Sequence, residues 1–421
     1  MLRAGSRLFS RLFWTFSPFW LFLVLFKFAG GLHYSLLSPL GERLLPLWIV
    51  GFIMGGASLI QLLLDVPAGQ LLDRFGYRRL LKVTAATFLV AALCLAFELT
   101  LATYLISIFL SIFGWLFFSP GINAYILSSA PREFAGKFMS LRDVFGSVGI
   151  VISSAALPFT LLLAPSYIGT VLAAGFALAF LALIFAPKDH ASVHAEQKID
   201  THHYYIRRQF LASLRTIRKL NPASSMLLLL SLSSGIFYGI IWFVVPLILA
   251  HELHGAILGG IGLGIFDFSV VVLGFVLGTL ADRADRRTLV FFGLLVFALF
   301  GMLLGLGFGI LFILFGFLAT AGEEMAGISL WSWLHALDRE HAKDGAVAGV
   351  ITLFDDVGWM IGPACAGVLY GLVGPSWAVI IGALPILVTW AVYWIGFQKH
   401  VLPNISFPFV PAKPHHRRHK A

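Results

Sequence analysis

Gly69, Gln70, Leu71, Leu72, Asp73, Arg74, Phe75, Gly76, Tyr77, Arg78 and Arg79 form a short charged break between two long apolar stretches. The order is Gly, then Asp-Arg, then Gly, then paired Arg. A second break runs Gly278, Thr279, Leu280, Ala281, Asp282, Arg283, Ala284, Asp285, Arg286 and Arg287. A further pair of matching segments joins Ser140, Leu141, Arg142, Asp143 and Gly146 to Thr352, Leu353, Phe354, Asp355 and Gly358. Gly69 and Gly278 lie 209 residues apart, and Asp143 and Asp355 lie 212 apart. Nearly equal offsets are what an internal duplication leaves. Parallel six-helix repeats about an axis along the membrane normal are one plan for membrane transporters.

The chain around these breaks has the composition of a membrane protein. Its 421 residues are 59% hydrophobic and 12% charged, where soluble domains carry about 25% charged residues. A spanning helix needs about 20 mostly apolar residues. Twelve such stretches are predicted at 14–38, 46–70, 79–101, 103–128, 138–162, 166–187, 224–250, 255–280, 288–308, 310–335, 347–371 and 374–397. The 42 glycines suit helices that pack closely in lipid. The expected fold is an all-α membrane protein, with twelve transmembrane helices in two pseudo-symmetric six-helix bundles. The bundles are residues 1–187 and 224–398, joined by a loop, 188–223, and followed by a basic tail, 399–421. Within the loop, Ile206, Phe210, Leu214 and Ile217 share one helical face, with Arg207, Arg208, Arg215 and Arg218 around it. That pattern predicts an amphipathic surface helix; the alternative is a disordered linker.

Basic residues set the topology. With twelve spans, 27 of the 29 Lys and Arg fall on one side of the membrane. The exceptions are Lys27 inside the first span and Arg43 in the first loop. The positive-inside rule makes that side and both termini cytoplasmic, in a cell inner (plasma) membrane. The net charge of +9 is therefore directed at anionic lipid headgroups, and no nucleic-acid partner is expected. Cys94 and Cys365 sit in separate spans and offer no disulfide framework. The first apolar stretch carries Lys27 and is too long for a cleavable signal, so it is expected to stay as a span.

The segment Gly69 to Arg79 resembles the signature loop between helices 2 and 3 of the major facilitator superfamily, and its altered copy follows the eighth span as in that family. The resemblance covers the chain from the first span to the twelfth. It implies a cytoplasmic gate built on Gly69, Asp73, Arg74, Gly76, Arg78 and Arg79, with the eleventh helix, bearing Asp355 and Asp356, as partner. In the second copy Asp282 and Arg283 remain, but Asp285 replaces the glycine. Physically, Gly69 permits close helix approach, Asp73 suits a helix N-terminus, and Gly76 permits a tight turn. The fifth span lacks the Gly-Pro of the drug and proton antiporter branch, and the fourth lacks an intramembrane Arg, so the resemblance stops at the superfamily.

Ionisable residues within spans are costly, about 2.5–3.5 kcal/mol each at a helix centre on insertion scales. Lys27, Asp267, Glu323 and Glu324 are predicted near span centres, and Asp65, Asp143, Asp355 and Asp356 nearer the cytoplasmic ends. The resemblance implies a central cavity lined by helices 1, 4, 7 and 10, where Lys27 and a glutamate meet. Consecutive residues point about 100° apart on a helix, so one of Glu323 and Glu324 is expected to face the cavity more than the other. Asn123 and Tyr238 are candidate polar contacts there, or bonds to a neighbouring helix. Three readings of the ionisable groups compete: proton coupling through Glu323 or Glu324, direct recognition of a charged substrate, and a structural ion pair. His190, His194, His202, His203, His415, His416 and His419 lack a completing Cys or carboxylate pattern, so no metal is expected. No nucleophile triad, phosphate loop or cofactor motif is present, and an enzyme is not expected. The function predicted is secondary transport of a small molecule by alternating access, as a monomer among membrane lipids, with protons as coupling ion. The alternatives are an uncoupled facilitator or exchanger, and a non-transporting receptor or assembly partner.

Overall fold

The structure, a computed structural model, describes residues 10–129, 135–187, 222–251, 263–266, 268–269, 272–273, 276–277, 280, 284–307, 309–337 and 344–401. In order these form α1 (Ser17–Glu42), α2 (Leu47–Phe75), α3 (Tyr77–Phe97), α4 (Leu101–Ser129), α5 (Ala135–Leu161), α6 (Pro165–Phe185) and α7 (Pro222–His251). Next comes α8, whose described helical residues are 263–266, 268–269, 272–273, 276–277 and 280. The last four are α9 (Arg286–Leu304), α10 (Ile310–Leu337), α11 (Asp344–Val373) and α12 (Pro375–Val401). Among the described residues eleven helices are long and apolar enough to cross a membrane, and α8 occupies the place of the remaining span. The candidate amphipathic helix of the central loop lies outside the described residues.

Local sequence sets the helix ends. Gly76 takes φ 86° between α2 and α3, and its N–H bonds the Leu72 carbonyl. Only glycine enters that region without strain. Gly374, at φ 82°, breaks the chain between α11 and α12 in the same way. Where the second motif copy has Asp285, the chain uses a different device: the Asp285 carboxylate accepts from the Thr288 N–H and caps α9. α1 runs to Glu42, beyond the predicted end at residue 38, because Pro39 is accommodated inside the helix. A proline removes one backbone bond, and neighbouring helices and side chains can make good that loss in a membrane bundle.

The packing plan repeats. In the first half α1 lies against α5 and α6, α3 against α4 and α6, and α2 against α4. In the second half α7 lies against α11 and α12, and α9 against α10 and α12. Gly316 of α10 faces Ile265 and Phe266 of α8. Each second-half pair is a first-half pair with six added to both helix numbers. The halves meet through α2 with α11 and through α5 with α8, where Gly264 faces Val151 and Ser154. These two interfaces are again related by the repeat. α1 also packs on α7.

Rings and glycines fill both halves. Phe16, just before α1, and Phe19, Phe22 and Phe26 along it are buried among rings of the other first-half helices. Phe26 stacks on Phe118 with centroids 4.2 Å apart and meets Phe88 edge-on at 5.1 Å. Buried rings supply area and directional contacts worth about 0.5–1.5 kcal/mol per pair beyond burial. The α7–α11 contact is made by glycines, as is the equivalent α1–α5 contact at Gly149, where a methyl group would stand 2.5 Å from the Val24 carbonyl oxygen. A methyl group on Gly358 would stand 2.6 Å from the Leu232 carbonyl oxygen, and one on Gly362 2.7 Å from the Gly239 Cα. Small residues at such crossings let backbones touch.

Candidate functional site

A cavity of about 480 Å³ opens between the halves. Its lining follows helical spacing on the six helices that give more than one residue. From the first half come Lys27, Gly31 and Tyr34 of α1, Ser58 and Gln61 of α2, Trp115 and Ser119 of α4, and Ile150 of α5. The second half gives Tyr238 and Trp242 of α7, Phe266 of α8, Thr320, Glu323 and Glu324 of α10, and Asp355, Asp356 and Trp359 of α11. Steps of three and four residues place such side chains on one face of a helix.

The chemistry is divided between the walls. The Lys27 ammonium lies 5.4 Å from the Trp115 ring centroid and 5.3 Å from that of Phe118, within cation–π range. Its stem runs beside α5, where Gly149 leaves room for the Lys27 Cβ. Opposite, the Tyr238 hydroxyl donates to the Glu323 carboxylate, tying α7 to α10. The Tyr238 ring meets Phe266 edge-on at 5.9 Å.

A stripe of α1 joins the two halves beside the cavity. Tyr34 packs on Trp359 at 5.8 Å and on Trp242 at 6.3 Å. One turn on, the Ser38 hydroxyl donates to the Phe243 carbonyl at 2.9 Å. One turn further, His251 Nε2 lies 3.0 Å from a Glu42 carboxylate oxygen. Gly51 and Gly55 of α2 continue this seam against Pro363 and Met360 of α11.

Of the residues singled out in the sequence, Lys27, Tyr238, Glu323 and Glu324 line the cavity together. Both glutamates do so, because a wall this wide takes in a sector of α10 broader than the 100° between neighbours. Asp355 and Asp356, assigned to a gate by resemblance, also line it. Asn123 does not appear in the wall; its amide oxygen accepts from Arg142 of α5, and the Arg142 Nε donates to Asp143 at 2.9 Å. Arg78 of the signature loop holds its own half together, donating from Nε to the Leu183 carbonyl at 3.2 Å and from a terminal nitrogen to that of Ile184, at the end of α6. A cation suits that end of a helix dipole. Arg74 and Arg79 are exposed. Asp267, Asp282 and Arg283 lie outside the described residues, as do the side chains of Asp65 and Asp73 and the surroundings of Gly69.

Tyr34, Ser58, Gln61, Trp115, Ser119, Trp242, Thr320 and Trp359 line the cavity without having been singled out in the sequence. For four of them the signal is spacing from a residue that had been: Tyr34 is seven after Lys27, Trp242 four after Tyr238, Thr320 three before Glu323, and Trp359 four after Asp355.

The arrangement matches known transporters in fold. The nucleoside transporter NupG superposes with a TM-score of 0.65 at 13% identity, covering 90% of this chain and 97% of that one. A D-xylose-proton symporter gives 0.66 at 15% identity, covering 89% and 95%. The xylose transporter XylE from E. coli, in a partially occluded inward open conformation, gives 0.63 at 14% identity, covering 91% and 98%. No curated protein matches in sequence. The family model for the Major Facilitator Superfamily matches residues 19–337 and again 227–412. The duplicated packing, the central cavity and this match together establish that the chain belongs to the Major Facilitator Superfamily, a family of membrane transporters rather than enzymes.

Proposed function

We propose that the protein is a secondary active transporter of a small molecule, working by alternating access and coupled to protons through Glu323 or Glu324. The observation that carries this reading is the bond from Tyr238 of α7 to Glu323 of α10 inside the cavity wall. A carboxylate within a membrane span is costly as an anion. A proton removes that charge and with it the charge-assisted bond that joins the two helices. Proton arrival at Glu323 therefore changes how α7 is held against α10, which is the link that coupling needs. With Lys and Arg marking the cytoplasmic face, both termini lie in the cytoplasm of a cell bounded by this membrane. The seam from Tyr34 to Glu42 then seals the outer side, and the midplane cavity is reached in turn from either face as the halves rock. The signature loop, with Asp73 and its arginines, serves the opposite gate, and the working unit is one chain.

The test uses proteoliposomes holding a pH-sensitive dye and a panel of metabolites sorted by charge. A compound-dependent change in lumenal pH is expected from the native chain and is expected to disappear in Glu323→Gln. Glu323→Gln and Glu324→Gln variants that both keep the change would remove proton coupling through these residues. Infrared difference spectra on a pH step give a second readout that needs no substrate: a protonated-carboxyl band present in the native chain should be missing in Glu323→Gln.

A further inference from the structure

We propose that Glu42 and His251 form a proton-operated latch, in which a proton on the His251 imidazole holds the two halves together at the outer face. This rests on the reading of the seam from Tyr34 to Glu42 as the outer gate of an alternating-access transporter, and it adds a proton site apart from the cavity. Position is the first ground. Glu42 and His251 lie 209 residues apart, the same offset as between Gly69 and Gly278 of the two signature loops. They are one position of the repeat, carried once by each half. Two copies of one position can meet only near the axis that relates the halves, and in a parallel repeat that axis runs along the membrane normal. The helices that carry them, α1 and α7, are themselves equivalent and pack on each other. The pair therefore sits at the centre of the seam, where any parting of the halves at this face separates it.

Chemistry is the second ground. His251 Nε2 stands 3.0 and 3.1 Å from the two Glu42 carboxylate oxygens. An unaltered duplication would have set two carboxylates, or two imidazoles, against each other. Here one copy is an anion and the other is the side chain whose charge changes between about pH 5 and 8. α1 ends at Glu42, where the helix dipole already gathers negative charge, so a cation is favoured beside it. In a closed seam the charged ring is held by the carboxylate, and in an open seam by water alone. A proton on His251 thus favours closure, and that contribution is lost as pH rises. Arg43 and Glu98, at the ends of α1 and α3, are exposed, and such side chains ordinarily keep their charge over this range. His33 of α1 is shut inside the first half against Ser107 and Phe88. Among the described residues the outward parts of the other helices packed on α1 and α7 add Tyr104 of α4, Tyr167 of α6, and Cys365 and Tyr370 of α11. Phenols stay neutral in this range, and Cys365 is removed in the test.

The test is a distance measured by electron–electron double resonance on the full chain in lipid nanodiscs, at about pH 5 and about pH 8. Nitroxides are placed at Leu162→Cys and Leu306→Cys, exposed positions in the turns after α5 and α9, with Cys94 and Cys365 replaced by serine. The ratio of short to long distances should rise about two- to fivefold on acidification, the range an exposed ion pair supplies. His251→Gln and Glu42→Gln should each remove that dependence. His251→Lys should keep the short distance at both pH values. Exchange of the two residues, Glu42→His with His251→Glu, should restore the pH dependence, an outcome that a loosened or misfolded variant cannot mimic. A native ratio equal at both pH values, a dependence that survives in His251→Gln, or an exchange that restores nothing overturns the latch. A pH-dependent distance without proton-linked flux in proteoliposomes keeps the latch and removes the coupling through the cavity glutamates. Proton-linked flux with a distance indifferent to pH does the reverse.

Discussion

The two halves share a plan of helix contacts and differ in what fills equivalent positions. Gly146 of α5 and Gly358 of α11 occupy the same place in the repeat, 212 residues apart. Around Gly146 the nearest groups to an added methyl are carbons of the Lys27 side chain, at 3.9 Å. Around Gly358 they are backbone, with the Leu232 oxygen at 2.6 Å and the Gly235 Cα at 2.8 Å. So the first half spends this glycine on room for a charged side chain, and the second spends it on direct backbone contact. The cavity walls divide in parallel, with the cation on one side and the carboxylates on the other. A duplication conserves contacts that hold a bundle together and leaves cavity chemistry open to diverge, because wall residues bear less of the packing.

The largest effect should come from testing that pair of glycines. Gly358→Ala is expected to lower stability by about 1–3 kcal/mol, the usual cost of overpacking a tight contact. Gly146→Ala is expected to stay within about 0.5 kcal/mol. Melting of the two variants in detergent measures the difference, and equal melting points would mean that these two glycines are packed alike. The next effect concerns the two copies of the signature loop. Gly76→Ala forces a side chain into a left-handed backbone and should cost about 1–3 kcal/mol. Asp285→Ala removes an N-cap and should cost about 0.5–2 kcal/mol. If Gly76→Ala proves the milder of the two, the first loop does not depend on its φ of 86°.

Much of the architecture was legible before any coordinates, for a physical reason. Lipid demands long apolar runs with paired backbone groups, so span number and the duplication are written as composition and offset. Gly76 was legible as a turn because few residues other than glycine serve there. The cavity was legible only where a residue was expensive: Lys27, Glu323 and Glu324 stood out because charge in a span needs a reason. Trp115, Trp242 and Trp359 did not, since a tryptophan in a membrane helix is unremarkable until the opposite wall is known. Asn123 shows the converse. It is polar and within a span, yet its partner is Arg142 on the adjacent helix, a pairing that depends on how α4 and α5 are rotated. Asp355 and Asp356 drew a gating role from the resemblance, and on α11, two turns before Pro363, they also line the cavity.

The smallest effect lies where the halves meet, at Glu42 and His251. Both side chains are partly exposed, at 29% and 56%, so the pair is worth about 0–1 kcal/mol. That is little for stability. It matters more for the proposed equilibrium between open and closed seams, where about 0.8 kcal/mol changes a population ratio roughly fourfold. Ser38 and Tyr34 hold the next two turns of the same stripe, so loss of the outermost pair should loosen the seam without freeing it. The measurement is labelling of a cysteine at Ser58 in the cavity wall, with Cys94 and Cys365 replaced by serine. An impermeant thiol reagent is added from the side that carries Glu42. Glu42→Gln should raise the labelling rate by a few fold, and Glu42→Gln combined with Ser38→Ala by more. If neither variant changes the rate, the closure rests on the glycine contacts of α2 with α11, and the α1–α7 stripe follows that movement instead of holding it.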